Sequence, residues 1–503
     1  MRFFYTLALI FSKQHERSCV LIDNIIRYKQ SIVVKVPGER FTPYSLAEKL
    51  KAMALLESAS MERGRDRYSI LLVREAAKII QRKDDFFMEK DGKTFRLKIQ
   101  GKDILDIVLH FANQHTDINH EFPLPAGGIG FLSYEYCARF DTIKLMEKKD
   151  ELDMPEALFI LGHVFLIFDH YTDTITIVGL NYREASIDIE KAVTEIAGRL
   201  DDLDFNFMAA DTKAYPATVE QDKNGADAYM QGVEKVREQI IRGNLLQGVL
   251  SRRVKIRTEL PAMHGYRHLR SQNPSPYMFY LNCGDYELFG ASPEVHVKVV
   301  GRKAIIRPLA GTRKRGKTPA EEAALEKELL ADEKERAEHL MLIDLARNDL
   351  GRICEPGSVK PTTFMAIEKY SHVMHIVSEI EGTLKEGKTG LDALRASFPA
   401  GTVTGAPKIR AIEVLDALEP EARRFYAGVV GYIQPGGSLD TCIAIRCAMK
   451  KGDLLVLQAG AGIVYDSMPH REYEETVNKL AALTAACGLT AACGVAVACG
   501  VEV

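Results

Sequence analysis

The chain has 503 residues, 46% of them hydrophobic, which is enough for more than one buried core, and its formal net charge of −3 offers no general field for nucleic acid or an anionic membrane. Nine cysteines, an odd number scattered along the chain, do not read as a disulfide framework and predict a reducing, cytoplasmic setting. No apolar stretch approaches the ~20 residues of a membrane-spanning helix.

Residues 1–30 read as an N-terminal extension, since "MRFFYTLALIF" places one Arg before a short apolar run but no small-residue cleavage site follows. Between 31 and 205, strand-like runs ("SILLV", "LFILGHVFLIF", "TITIVGL") alternate with helical stretches such as "SLAEKLKAMALLES", which predicts an α+β domain. "GGIGFL" at 127–132 lacks the third glycine of a dinucleotide fingerprint. The polar segment 206–227 reads as a linker, and 228–485 as a second domain. It opens with a helix carrying Val233, Val236 and Ile240 that stops at Gly243-Asn244.

In this second part "IIRPLAGTRKRG" (305–316) reads as a Gly-Thr turn rimmed by Arg307, Arg313, Lys314 and Arg315, with the flank after Arg313 expected to be mostly solvated. "ADEKERAEHLMLIDLARNDLG" predicts a helix with an apolar stripe at Leu340, Ile343 and Leu350, and with Glu335 and Glu338 three apart on one face. Alone, such a pair reads as a solvated face. Glu472 and Glu475 in "HREYEETVNKLAAL" repeat the spacing, and two pairs on two helices could converge on a hard cation such as Mg²⁺. "FPAGTVTGAPKIR" is not a phosphate loop, because Ala406 and Pro407 separate Gly405 from Lys408 and no hydroxyl follows. "TCIAIRCAM" predicts a buried strand interrupted by Arg446, whose partner is either a carboxylate of the chain or one of a substrate. "QAGAGIV" places Gly460 and Gly462 where backbone N–H groups can approach an anion. The tail 486–503 repeats Ala-Cys-Gly at Cys487, Cys493 and Cys499 and reads as low-complexity sequence.

"LAGTRKRG", "EHLMLIDLARNDLGRIC", "YSHVMHIVSEIEG", "FPAGTVTGAPK", "YAGVVGYI", "DTCIAIR" and "QAGAGIVYDSMPHREYEETVNKL" together resemble the chorismate-utilising enzymes, most closely the anthranilate synthase component I family, in order from about residue 31 to 485. The resemblance implies large antiparallel sheets flanked by helices, with an N-terminal regulatory domain packed on the catalytic one. It implies that Mg²⁺ and the ring carboxylate of chorismate meet at Glu338 and Glu475, supported by Glu335 and Glu472. Four carboxylates around a dianion would repel it, and one divalent ion reverses that sign. Tyr426, Arg446, the Gly460-Ala461-Gly462 backbone, Gly311, Thr312 and Lys479 are implied in substrate binding.

Glu294 in "GASPEV" matches the family's general acid and His375 the residue of the elimination half, with Thr402 and Gln247 completing the catalytic set. Gln247 stands where isochorismate and salicylate synthases carry a water-activating Lys, and Ala310 where Lys-type aminodeoxychorismate synthases carry a nucleophilic Lys. Ammonia is therefore the expected nucleophile. With no glutaminase motif in the chain, a separate glutamine amidotransferase subunit (component II) would supply it in a hetero-oligomer. "LLESAS" and "NPSPYMFYLN" resemble the family's tryptophan-binding motifs, implying an inhibitor pocket at Ser58, Pro276, Tyr277 and Met278. The competing readings are an enzyme that stops at the aminated, non-aromatic intermediate and a catalytically silent tryptophan sensor.

Overall fold

The strand Ala157–Asp169 (ALFILGHVFLIFD) is buried at all 13 positions because its two faces enter two different apolar clusters; a strand with one wet face would alternate. It belongs to a computed structural model that describes residues 25–58, 67–99, 103–148, 151–202, 215–220, 225–370 and 373–487. Most of the expected N-terminal extension, linker and Ala-Cys-Gly tail lies outside the described residues.

Ala157–Asp169 pairs along its length with Tyr68–Arg82, and the sheet leaves this pair in two directions. One arm runs through Ala54–Glu57, Tyr277–Asn282, Glu287–Ser292, Cys447–Lys451 and Leu454–Ile463 to Gln247–Thr258. The other runs through Ile129–Leu132, Val429–Ile433, Leu439–Ile443, Val295–Val300 and Lys303–Ile306 to Val373–Thr383. Every pairing is antiparallel, and helices flank the sheet, as the α+β reading expects. Strands from 31–205 and from 228–485 share both arms, for example in the pairs Leu55↔Tyr280 and Phe131↔Val430. The largest apolar cluster draws on both stretches, each fully buried Leu or Ile contributing roughly 1.5–3 kcal/mol.

Four local expectations need correction. "SLAEKLKAMALLES" is not one helix: Thr42 caps Pro43–Leu50, Lys51 turns left-handed (φ 54°), and Ala54–Glu57 becomes a strand. Its neighbours Tyr68–Arg82 and Tyr277–Asn282 pair both its edges, a non-local gain that outweighs helical propensity. "LAGTRK" is not a turn but the strand Leu309–Lys314, paired with Val373–Thr383 and bulged at Gly311, whose φ of 64° suits a residue without Cβ. "TCIAIRCAM" is two strands, Leu439–Ile443 and Cys447–Lys451, broken where Arg446 adopts φ 52°. Leu340 is 44% exposed, so the buried stripe of helix Glu333–Gly351 is His339, Leu342, Ile343, Ala346 and Leu350.

Candidate active site

Two helices and two strand pairs enclose a cavity of about 810 Å³. Helix Glu333–Gly351 begins at Asp332, whose carboxylate accepts from the Lys334 and Glu335 amides, and this start brings Glu335 and Glu338 to the cavity wall. Helix Pro469–Ala486 brings Glu472, Glu475 and Lys479, while Val477 and Leu480, buried away from the cavity, anchor it. The bulged strand contributes Gly311 and Thr312, its partner His375, the break between strands Arg446, and the strand Leu454–Ile463 its next-to-last residue, Gly462. The sequence motifs therefore converge, although they lie far apart along the chain.

The four glutamates are not equivalent. Burial pushes the Glu338 carboxyl above the usual range, Glu335 and Glu475 reinforce the shift, and the Gln247 amide opposes it by donating from Nε2 to Oε1 at 2.8 Å. Glu472 is raised mainly by burial, with Ser467 opposing and Glu475 adding repulsion. Glu335 is held by Arg313 at 3.2 Å, and Glu475 by Lys479 at 2.6 Å. Among the described residues no three His, Cys, Asp or Glu side chains gather closely enough to hold an ion by themselves. An all-oxygen set of mutually repelling carboxylates on one wall nevertheless suits Mg²⁺, which commonly takes one or two carboxylates and completes its shell with substrate and water.

Arg446 answers the question its position in the sequence raised. Burial pulls its guanidinium below the ordinary value, and among the described residues no carboxylate forms an ion pair with it. Tyr426 and the Glu475 charge oppose that fall, and a half-buried cation facing a cavity in this state is poised for an external anion. Lys479 also donates to the Gly460 carbonyl at 2.8 Å, which fixes its ammonium beside the cavity.

His375 sits opposite Thr312, and its Nδ1 lies 2.9 Å from the Gly311 carbonyl and 3.1 Å from Thr312 Oγ1. A carbonyl only accepts, so Nδ1 carries the hydrogen and Nε2 is the basic nitrogen. Burial lowers the ring's pKa to about 4, so it is neutral near pH 7 and able to take a proton.

Glu294 and Thr402 do not line this cavity; they line a second one of about 30 Å³ with Pro308, three residues from Gly311. Burial raises the Glu294 pKa to about 8, with the Thr402 side chain and the Leu309 amide opposing. Near pH 7 it is a neutral acid. Tyr426 is buried with its hydroxyl pushed up to about 12, and a Cβ at Gly460 would lie 3.0 Å from that oxygen. Ala461 points the opposite way, into a cluster with Tyr229 and Leu250, leaving only its backbone for a ligand.

Of the flank after Arg313, Lys314 is exposed as expected and Arg315 is paired, and the arginines before it are paired as well. Arg313 meets Glu328, Asp332 and Glu335, Arg315 meets Glu322, and Arg307 meets Glu368 and Glu379. Lys408 is likewise committed to Asp349 at 2.8 Å, as befits a residue outside any phosphate loop. Sequence reasoning missed Lys334, Tyr370 and Ser467 on the wall of the main cavity. Tyr370 and Ser467 lay within or beside quoted motifs, but only the folded chain turns them inward. Ser58, Pro276, Tyr277 and Met278 all line a third cavity of about 690 Å³ between the two sheet arms.

An antiparallel α+β fold enclosing a glutamate-, arginine- and lysine-lined cavity defines an enzyme-like site for a small polyanion. Residues 57–485 match the family described as chorismate binding enzyme, and the chain belongs to that family. It is 59% identical over 461 residues to anthranilate synthase component 1 of Spirochaeta aurantia, covering 91% of this chain and 96% of that protein. It is 38% identical over 449 residues to aminodeoxychorismate synthase component 1 of Bacillus subtilis, covering 88% and 93%. The crystal structure of anthranilate synthase component I from Streptococcus pneumoniae TIGR4 superposes with a TM-score of 0.75 at 35% identity, over 83% of this chain and 92% of that one.

Proposed function

We propose that the protein is the chorismate-converting subunit of an anthranilate synthase, taking chorismate and ammonia to anthranilate and pyruvate. The observation that carries the reading is Arg446, a half-buried guanidinium that forms no ion pair among the described residues and faces the same cavity as both glutamate pairs. It would take one carboxylate of the dianion, with Lys479 and the Gly462 backbone beside it. Glu338 and Glu475, with Glu335 and Glu472 behind them, would hold Mg²⁺ at the other carboxylate. The ion would supply the charge neutralisation that lets a dianion enter an acidic cavity.

Glu294, protonated near pH 7, is the acid for the departing C4 hydroxyl as ammonia adds at C2. Neutral His375, with Nε2 basic, serves the elimination of pyruvate that makes the ring aromatic. Gln247 has no titratable amine to activate water and Ala310 none to attack the ring, which favours free ammonia as nucleophile. A glutamine amidotransferase subunit would deliver it. L-Tryptophan is proposed as the feedback inhibitor in the cavity at Ser58, Pro276, Tyr277 and Met278, coupled reciprocally to chorismate.

The test is one assay: purified protein, chorismate, Mg²⁺ and ammonium, with anthranilate followed by its fluorescence before and after tryptophan is added. Anthranilate with stoichiometric pyruvate supports the reading. An aminated, non-aromatic product would assign the chain to the chemistry that its aminodeoxychorismate relative is named for, and no turnover at all would leave a sensor.

A further inference from the structure

The small cavity beside Glu294 contains polar atoms that the proposed reaction does not use. His296, only 2% exposed, lines it together with Glu294, Thr402 and Asp349. His296 Nδ1 and Thr402 Oγ1 are both buried without a hydrogen-bond partner among the described residues. Thr402 stands near enough to Glu294 to oppose the rise in its pKa, but the pair does not reach hydrogen-bond geometry. Orphaned buried acceptors and donors are rare, and two of them on one cavity ask for a common partner.

The tautomer of His296 follows from its other nitrogen. Nε2 lies 3.1 Å from Ser397 Oγ, and the one hydroxyl hydrogen of Ser397 is directed to the Ala393 carbonyl at 2.8 Å. Ser397 therefore accepts from Nε2–H, and Nδ1 is left as a bare acceptor. Burial and the Lys408 charge keep the ring neutral, with its pKa lowered to about 3. The cavity, about 30 Å³, is roomy enough for a water molecule, and its polar groups supply the two to four partners a buried water needs.

We propose that this cavity holds one water bound by His296 Nδ1, Thr402 and Glu294, and that His296 is a positioning residue that makes Glu294 a readier proton donor through it. The water gives one hydrogen to Nδ1 and the other to a Glu294 oxygen, and accepts from the Thr402 hydroxyl. It stabilises the carboxylate that remains once the proton has gone to substrate more than it stabilises the neutral acid, because the bond to the charged form is the stronger. Burial alone would make Glu294 a reluctant donor, and the water brings it toward the working pH. The other titratable groups around it are accounted for: Asp349 is matched by Lys408 at 2.8 Å, and burial keeps the Tyr370 hydroxyl protonated.

The inference deepens the role proposed for Glu294, yet its test needs no substrate. The carboxylic-acid carbonyl stretch of Glu294, identified in infrared difference spectra by its loss in Glu294→Gln, is followed against pH in the free protein. His296→Leu should raise the Glu294 titration by about one pH unit, roughly tenfold in acid constant, whereas His296→Asn, whose Oδ1 can take the place of Nδ1, should titrate with the wild type. In the assay His296→Leu should lower kcat with KM unchanged. Identical titrations for wild type and His296→Leu, or an Asn variant as displaced as Leu, would overturn the proposal. Should the Leu variant not fold, ¹⁵N chemical shifts of His296 in the wild-type protein decide: bare, hydrogen-bonded Nδ1 is required, and an Nδ1–H tautomer is incompatible with it. A normal Glu294 titration shift in a chain that makes no anthranilate would sink the proposed function and leave this inference standing.

Discussion

The Gln247 amide donates to Glu338 at 2.8 Å across 91 positions of sequence, joining the strand Gln247–Thr258 to the helix Glu333–Gly351. Glu338 is a half-buried member of the proposed Mg²⁺ set, and this bond opposes both its desolvation and the repulsion from Glu335 and Glu475. Replacing Gln247 with Leu should raise the Glu338 pKa further and orient the carboxylate less well. Loss of an outer partner to a metal ligand typically costs 10–100-fold in affinity. The Mg²⁺ concentration for half-maximal activity should therefore rise by roughly that factor, recoverable at high Mg²⁺; an unchanged Mg²⁺ titration would remove Glu338 from the metal shell.

Gly462 controls the same contact from the neighbouring strand. A Cβ there would meet Gln247 Nε2 at 2.8 Å, the far end of a side chain that can move, whereas a Cβ at Gly460 would meet the Leu250 carbonyl at 2.9 Å, which is backbone and cannot. Gly462→Ala should therefore keep the thermal midpoint and weaken the response to Mg²⁺ as Gln247→Leu does. Gly460→Ala should lower the midpoint itself, because the pairing Ser251↔Gly460 must spread. Calorimetry and the Mg²⁺ titration, run on both variants, separate the two effects.

Arg446→Gln keeps the size and hydrogen-bonding character of the side chain and removes its charge. With no ion-pair partner among the described residues to lose, the variant should be at least as stable as the wild type, since a half-buried cation without an ion pair is itself costly. Its KM for chorismate should rise by about ten- to a hundredfold, the loss of a charged hydrogen bond being worth roughly 1.5–3 kcal/mol. A destabilised variant with normal KM would mean that Arg446 serves the fold.

Glu294 links activity and stability to pH. Its pKa is raised from 4.5 to about 8, so between these values the folded chain holds a proton that the unfolded chain has released. Stability from this group is thus full below about pH 4.5 and is lost as pH rises toward 8, by up to about 1.4 kcal/mol per unit. Activity should fall over the same upper limb as the acid ionises. Glu294→Gln, neutral at every pH, should flatten the stability decline seen in denaturant midpoints between pH 5 and 8 and reduce kcat at least a hundredfold. A parallel decline in wild type and variant would place the titration elsewhere.

Much of this site is legible in the sequence because its charges break local rules. Glu335 with Glu338 and Glu472 with Glu475 show helical spacing, and Arg446 interrupts an apolar run. What the sequence hides is pairing. "ALLE" after Lys51 fits a helix as well as a strand until Tyr277–Asn282 lies beside it, and "LAGTRK" looks like a turn until the Gly311 bulge is set against His375. The paired state of Arg313 depends on Asp332 and Glu335 at the start of a helix that local periodicity places but does not orient. Lys334 and Tyr370 stayed unrecognised for the same reason: cavity walls are tertiary objects.

The tryptophan proposal is tested most directly through an absence in the composition. The chain contains no Trp, so added L-tryptophan is the only indole present and its own fluorescence reports binding. The cavity proposed for it is walled by both sheet arms, with Ser58 and Met278 on one and Cys442 on the other. Ile443, the next residue, lines the Glu294 cavity, and Tyr277 pairs with Ser292, two residues before Glu294. A ligand that changes the spacing of the arms would therefore act on the proposed general acid through one strand on each side. Ser58→Ala should weaken tryptophan binding and raise the concentration needed for inhibition by about the same factor, commonly five- to tenfold for a lost hydrogen bond of ~1 kcal/mol. Uninhibited turnover should stay unchanged. Because coupling is reciprocal, chorismate should weaken tryptophan binding in the wild type by the factor with which tryptophan weakens chorismate. Tryptophan fluorescence that is indifferent to both Ser58→Ala and chorismate would place the inhibitor, if there is one, outside this cavity.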